Sequence, residues 1–132
     1  MVLVDTNVIL DIVEDDPVWA EWSQAQLDAL ALREDLAING VIYSELSIAF
    51  SRIEELEAVV ATAGLKLIQI PREALFLAGK AFLAYRKQGG TRTGVLPDFL
   101  IGAQSAVMQL PLVTRDAARY RTYFPGLQLI AP

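Results

Sequence analysis

Short apolar runs alternate along this chain with longer stretches whose apolar residues recur every three or four positions. Runs of the first kind, bounded by turn residues, predict strands near residues 2–5, 36–39, 66–70, 111–114 and 127–130. Helical periodicity predicts helices near 7–13, 18–33, 40–62, 72–88, 97–109 and 116–122. Strands alternating with helices in this way predict a single α/β domain over residues 1–132, built on a mainly parallel five-stranded sheet. The segment Gln88-Gly89-Gly90-Thr91-Arg92-Thr93-Gly94 interrupts the pattern. It is glycine-rich and basic, and reads as a mobile loop between two helices. Neither G-x-x-x-x-G-K-[ST] nor G-x-G-x-x-G after the first strand is present, which argues against nucleotide binding by those routes.

Two absences narrow the chemistry. The chain has no Cys, so disulfides and thiolate metal sites are excluded, and no His, so histidine bases, Ser-His-Asp triads and His-containing zinc sites are excluded too. A hydrolase with this alphabet must rely on carboxylates holding an oxygen-loving cation such as Mg²⁺ or Mn²⁺. The 54% hydrophobic content suits a well-filled core for one domain of 132 residues. Asp5 and Asp11 interrupt the first apolar run, no basic segment precedes it, and no uninterrupted apolar stretch is long enough to span a bilayer. The expectation is a soluble, cytoplasmic protein.

Charge is divided sharply. Residues 1–64 carry 13 acids and 2 basic residues, whereas residues 65–132 carry 3 acids and 9 basic residues, within a net charge of −5. Between Arg86 and Arg121 the only acids are Asp98 and Asp116, set among Arg86, Lys87, Arg92, Arg115, Arg119 and Arg121. Such a region can attract a polyanion despite the acidic total, or it can be a set of solvated helix ends.

Four acids stand out by placement. Asp5 and Asp116 follow predicted strands, where a carboxylate caps a helix or, in a parallel sheet, faces the ligand crevice. Asp98 follows Pro97 in the first turn of a predicted helix, which the helix dipole alone would favour. Glu45 borders the apolar stripe formed by Val41, Ile42, Ile48 and Ala49, and an acid there needs a partner. Asp11, Glu14, Asp15 and Asp16 read as a solvated turn before Pro17.

Val4-Asp5-Thr6-Asn7-Val8-Ile9-Leu10-Asp11, Ser44-Glu45-Leu46, Leu96-Pro97-Asp98-Phe99-Leu100-Ile101-Gly102-Ala103 and Val113-Thr114-Arg115-Asp116 together resemble the four acidic motifs of PIN-domain ribonucleases. The resemblance is to VapC-type toxins of type II toxin–antitoxin pairs in particular, and it covers nearly the whole chain. It implies helices on both faces of the sheet and four acids converging at the strand C-terminal edge. It also implies Mg²⁺- or Mn²⁺-dependent RNA cleavage, a homodimer and an inhibiting antitoxin. On this reading Asp5, Asp98 and Asp116 bind the metal, and Glu45 completes the set directly or through water. Thr114 either donates its hydroxyl to a carboxylate or a metal-bound water or is an ordinary strand residue, and Asn7 either orients a carboxylate or caps a helix. Arg86, Lys87, Arg92 and Arg115 are candidates for RNA phosphate contacts. Trp19, Trp22 and Tyr43 are read as parts of a dimer face and an antitoxin groove, the plainer reading being that both tryptophans are core. Among rivals, a haloacid-dehalogenase-like phosphatase needs a second Asp where Asn7 stands, and a receiver-like phosphoacceptor lacks its acid pair and lysine. A non-catalytic protein-interaction domain is the remaining alternative.

Overall fold

The computed structural model describes residues 1–132. In chain order the elements are β1 (Val2–Val4), α1 (Thr6–Val13), α2 (Ala20–Ala31), β2 (Leu36–Ile38), α3 (Gly40–Ser47), α4 (Ile53–Thr62), β3 (Leu65–Leu67), α5 (Arg72–Lys87), α6 (Leu96–Met108), β4 (Leu112–Val113), α7 (Ala118–Tyr123) and β5 (Leu129–Ile130). The strands form one sheet of order β3-β2-β1-β4-β5, parallel throughout. Every residue of β1, β2 and β4 is buried, which is why these strands read as unbroken apolar runs and why both faces of the sheet must be covered.

From β1 the chain steps outward to β2 and β3, then returns past β1 to β4 and β5. Right-handed crossovers in the two directions leave helices on both faces, α1 packed with α2 and α5 with α6, while α3 touches both α1 and α6. The direction reverses between β1 and β4. Loops leaving the C-terminal ends of these two central strands diverge to opposite faces and leave a crevice, the ordinary place for a ligand in an open parallel sheet.

The core runs through the central strands into Ile42, Leu46, Phe99 and Ile101, all fully buried. Phe99 lies 5.1 Å from Tyr123 and 5.8 Å from Tyr85, ring centre to ring centre, so aromatic packing fastens α6 to α5 and α7. Gly102 permits the close approach of α7, since a methyl group there would meet Phe124 at 2.6 Å and Tyr120 at 3.1 Å. Asn39 caps α3 by accepting from the Ile42 amide at 2.9 Å. Its amide nitrogen donates to Gln104 Oε1 at 2.8 Å, and Gln104 donates on to the Gln69 carbonyl at 3.0 Å. This buried tie links α3 to α6.

The helix expected over 40–62 is two helices. After Leu46 the ladder tightens to bonds three residues apart, from the Ala49 amide to Leu46 O at 3.0 Å and from the Phe50 amide to Ser47 O at 3.2 Å. Arg52 is then extended, and α4 restarts with Glu54 and Glu55 in its first turn, favourable to its dipole. The helix expected from residue 18 begins at Ala20, because Asp16 Oδ1 accepts from the Val18 and Trp19 amides and holds a turn before it. The basic loop is tied back to α5. Gly89 turns the chain at φ 87°, the Arg92 amide donates to Tyr85 Oη at 3.0 Å, and a methyl group at Gly90 would lie 2.2 Å from the Tyr85 ring.

Trp22 and Tyr43 pack partly buried against the core, and Trp19 sets its ring edge-on to Trp22, so these aromatics are largely engaged within the chain. No helix is long and apolar enough to cross a membrane.

Candidate active site

Asp5 is the first residue after β1 and the N-cap of α1. Its Oδ1 accepts from the Thr6 amide at 2.8 Å. Its Oδ2 accepts from the Thr114 hydroxyl at 2.8 Å and the Tyr120 hydroxyl at 2.9 Å. Thr114 directly follows β4, so this bond spans the crevice between the two central strands. Burial pushes the Asp5 carboxyl up to about 6, against the lowering effect of its three donors, and the charge of Asp98 adds to the rise.

Glu45 lies on α3 and accepts from the Thr6 hydroxyl at 2.6 Å. Burial and the nearby Asp98 raise its pKa, which the Thr6 bond partly offsets. Asp98, in the first turn of α6, accepts from the Arg119 guanidinium. Burial still raises its pKa despite that ion pair, and Asp116 raises it further. Asp98 is thus the electrostatic hub, coupled to each of the other three acids. Asp116 is exposed and caps nothing with its side chain. Helix α7 has Ala117 at its cap, and the Asp116 amide donates to Thr114 Oγ1 at 3.1 Å in a short hydroxyl turn.

The donor set suits a hard divalent cation, since all four groups are carboxylates and three are raised in ways a cation would relieve. Asp98 is coupled by charge to the other three acids, but no three of the four side chains close into one ion's shell. Like charges repel, and Arg119 holds one of them.

Asn7 lies inside α1 rather than at its cap. It accepts from the Arg115 amide at 3.1 Å, while its own amide reaches 3.4 Å from both Asp5 Oδ2 and Thr114 Oγ1. Asp11 corrects the sequence reading most directly. Instead of lying in a solvated turn it is 3% exposed, and it accepts a two-pronged pair from Arg115, Nε at 2.9 Å and Nη2 at 3.0 Å, plus the Ser23 hydroxyl at 3.0 Å. Arg115 also lies 5.8 Å from the Trp19 ring, so much of its donor capacity is used within the chain. Arg86 stacks on Phe82 at 5.1 Å with its charge exposed, and Lys87 and Arg92 are exposed at the end of α5 and in the basic loop. Sequence reasoning missed Thr6, Tyr120 and Arg119 as partners of the acids. Thr6 was legible as a hydroxyl next to Asp5, but nothing local marked the other two.

A family model described as PIN domain matches residues 2–125. No curated protein matches this chain. Among solved structures, VapBC2 from Rickettsia felis, bound to a DNA fragment from its promoter, is similar with a TM-score of 0.76 at 19% identity, covering 100% of this chain and 99% of that one. DNA-bound VapBC from Salmonella typhimurium gives 0.72 at 17% identity, covering 99% and 98%. FitAcB from Neisseria gonorrhoeae gives 0.71 at 21% identity, covering 98% and 96%. At such identities the likeness is one of fold. With nearly its whole length matched by the family model, the chain belongs to the PIN-domain family.

Proposed function

We propose that this protein is a divalent-metal-dependent endoribonuclease and the toxin of a type II toxin–antitoxin pair. The observation that carries the reading is the buried Asp5 at the β1–β4 crevice, electrostatically coupled through Asp98 to Glu45 and Asp116 in a chain without histidine. Asp5, Asp98 and Asp116, with Glu45, are the residues to hold Mg²⁺ or Mn²⁺. When bound, such an ion neutralises a scissile phosphate and lowers the pKa of a water at the site. The chain's own residues supply orientation. Thr114 and Tyr120 hold Asp5, Thr6 holds Glu45, and Arg119 compensates Asp98. Arg86, Lys87 and Arg92 are the exposed cations to meet the RNA backbone, contacts that add affinity without sequence choice.

The partner is an antitoxin, supported by structural likeness to chains of toxin–antitoxin complexes. An apolar groove of about 510 Å³ between α1, α2 and α4, lined by Ile9, Ile12, Val13, Leu27 and Val59, suits an amphipathic segment. A homodimer belongs to the same reading, and exposed Ile48, Ile53 and Phe76 are apolar surface that a second copy can cover.

The test is incubation of RNA with purified protein and Mg²⁺ or Mn²⁺. Attack by water rather than by the ribose 2′-hydroxyl leaves 5′-phosphate and 3′-hydroxyl ends. Cyclic-phosphate ends, or full cleavage in excess EDTA, contradict the mechanism.

A further inference from the structure

The Asp5 carboxylate is saturated on one side. Each carboxylate oxygen has two in-plane lone pairs. Oδ2 gives one to Thr114 at 2.8 Å and one to Tyr120 at 2.9 Å, with the Asn7 side-chain amide a longer third donor to it at 3.4 Å, while Oδ1 gives one to the Thr6 amide at 2.8 Å. One lone pair on Oδ1 is left. Two close donors on Oδ2 arriving from different places, the residue after β4 and helix α7, also resist rotation of the carboxylate. Tyr120 is itself 2% exposed, its ring is held beside Gly102, and its hydroxyl donates to Asp5.

We infer that Tyr120 is a positioning residue: its hydroxyl, acting with that of Thr114, fixes the Asp5 carboxylate so that Oδ1 is the oxygen left open to a divalent cation. The inference rests on the reading that Asp5 is a metal ligand. Groups that orient a ligand from behind contribute to metal affinity nearly as strongly as some ligands do, commonly about 10- to 100-fold. The hydroxyl is the informative part of Tyr120, because Tyr120→Phe retains the ring and its packing while removing one donor to Oδ2.

The experiment titrates Mn²⁺ alone, by calorimetry, into metal-free wild-type protein, Tyr120→Phe and Tyr123→Phe. Tyr123 is a matched control on the same helix, its hydroxyl bonded to Gln88 Oε1 at 3.1 Å and not to an acid. The expected result is binding at least about 10-fold weaker in Tyr120→Phe, with Tyr123→Phe like wild type and the metal-free melting temperatures of all three close together. Equal affinity in wild type and Tyr120→Phe overturns the inference. So does an equal loss in both variants, which indicates general loosening of α7. A collapse of the metal-free melting temperature in Tyr120→Phe also overturns it, since the hydroxyl then serves the fold rather than the site. If wild type takes up no Mn²⁺, it is the metal reading of Asp5 that fails, and this inference with it.

Discussion

The Arg119 guanidinium donates to Oδ2 of Asp98, so α7 supplies the counter-charge for an acid carried by α6. A divalent ion arriving at Asp98 must share that carboxylate with Arg119 or displace it. Removing the guanidinium takes away a positive charge that repels the ion and competes for the same oxygen. Arg119→Gln is therefore expected to bind Mn²⁺ several-fold more tightly while lowering metal-free stability by about 1 kcal/mol. Calorimetric titration alongside urea denaturation checks both, and weaker Mn²⁺ binding in the variant means that Arg119 supports the site instead of competing for it.

Asp98 raises both Asp5 and Glu45, so its charge strains the metal-free cluster. Asp98→Asn is expected to reduce cleavage by about 100-fold or more, on the scale of losing a key electrostatic group. It should also abolish the rise in melting temperature caused by Mg²⁺ or Mn²⁺. Metal-free stability should hold or improve, because relief of repulsion offsets the lost pair with Arg119. Wild-type cleavage together with an unchanged metal shift removes Asp98 from the site.

Asp5 gives stability a definite pH dependence. Its carboxyl is raised from 3.8 to about 6, so the folded state holds the proton more tightly than the unfolded chain does. The stabilisation is full below about pH 4 and is lost as pH rises through about 6, a change on the order of 3 kcal/mol for the metal-free protein. Asp16 and the exposed Asp35 are shifted down and act in the opposite sense, so the difference between wild type and Asp5→Asn isolates the effect. Denaturant unfolding in EDTA from pH 4 to 7 should show wild type losing stability relative to Asp5→Asn. Parallel curves place Asp5 in a less buried setting.

The pair between Asp11 and Arg115 pins the segment that carries Thr114 and Asp116. Removing Arg115 leaves Asp11 buried with only Ser23 as a side-chain donor. Arg115→Ala should cost about 2 kcal/mol, moderated because Arg115 is itself partly exposed. Arg115→Lys keeps the charge but not the two-pronged fork, and should recover only part of the loss. Urea midpoints rank the three proteins, and if the two variants coincide with wild type the pair contributes nothing to stability.

What could be read ahead of the structure was whatever depended on local pattern. The buried strands announced themselves as apolar runs, and Asp5 and Thr114 followed directly because each adjoins one of the two central strands. Relationships across the sheet were not readable. Asp11 sits in an acid-rich stretch that looks solvated, and its partner lies 104 residues away. The break after α3 carries no Gly or Pro, and Ile48 and Ile53 continue the apolar rhythm although both are exposed. Tyr120 offered only an aromatic in a short helix; that its hydroxyl meets Asp5 depends on Gly102 letting α7 settle close to α6.

The fastening of the basic loop to Tyr85 has a kinetic meaning. A chain segment that must be ordered by its ligand slows capture and weakens it by the entropy lost at that moment. Here a ring lying against Gly90 and one bond to the Arg92 amide settle part of that ordering during folding. If Arg92 meets the RNA backbone as proposed, it does so from a stem already shaped, and the rate of encounter should then depend more on ionic strength than on a search through loop conformations.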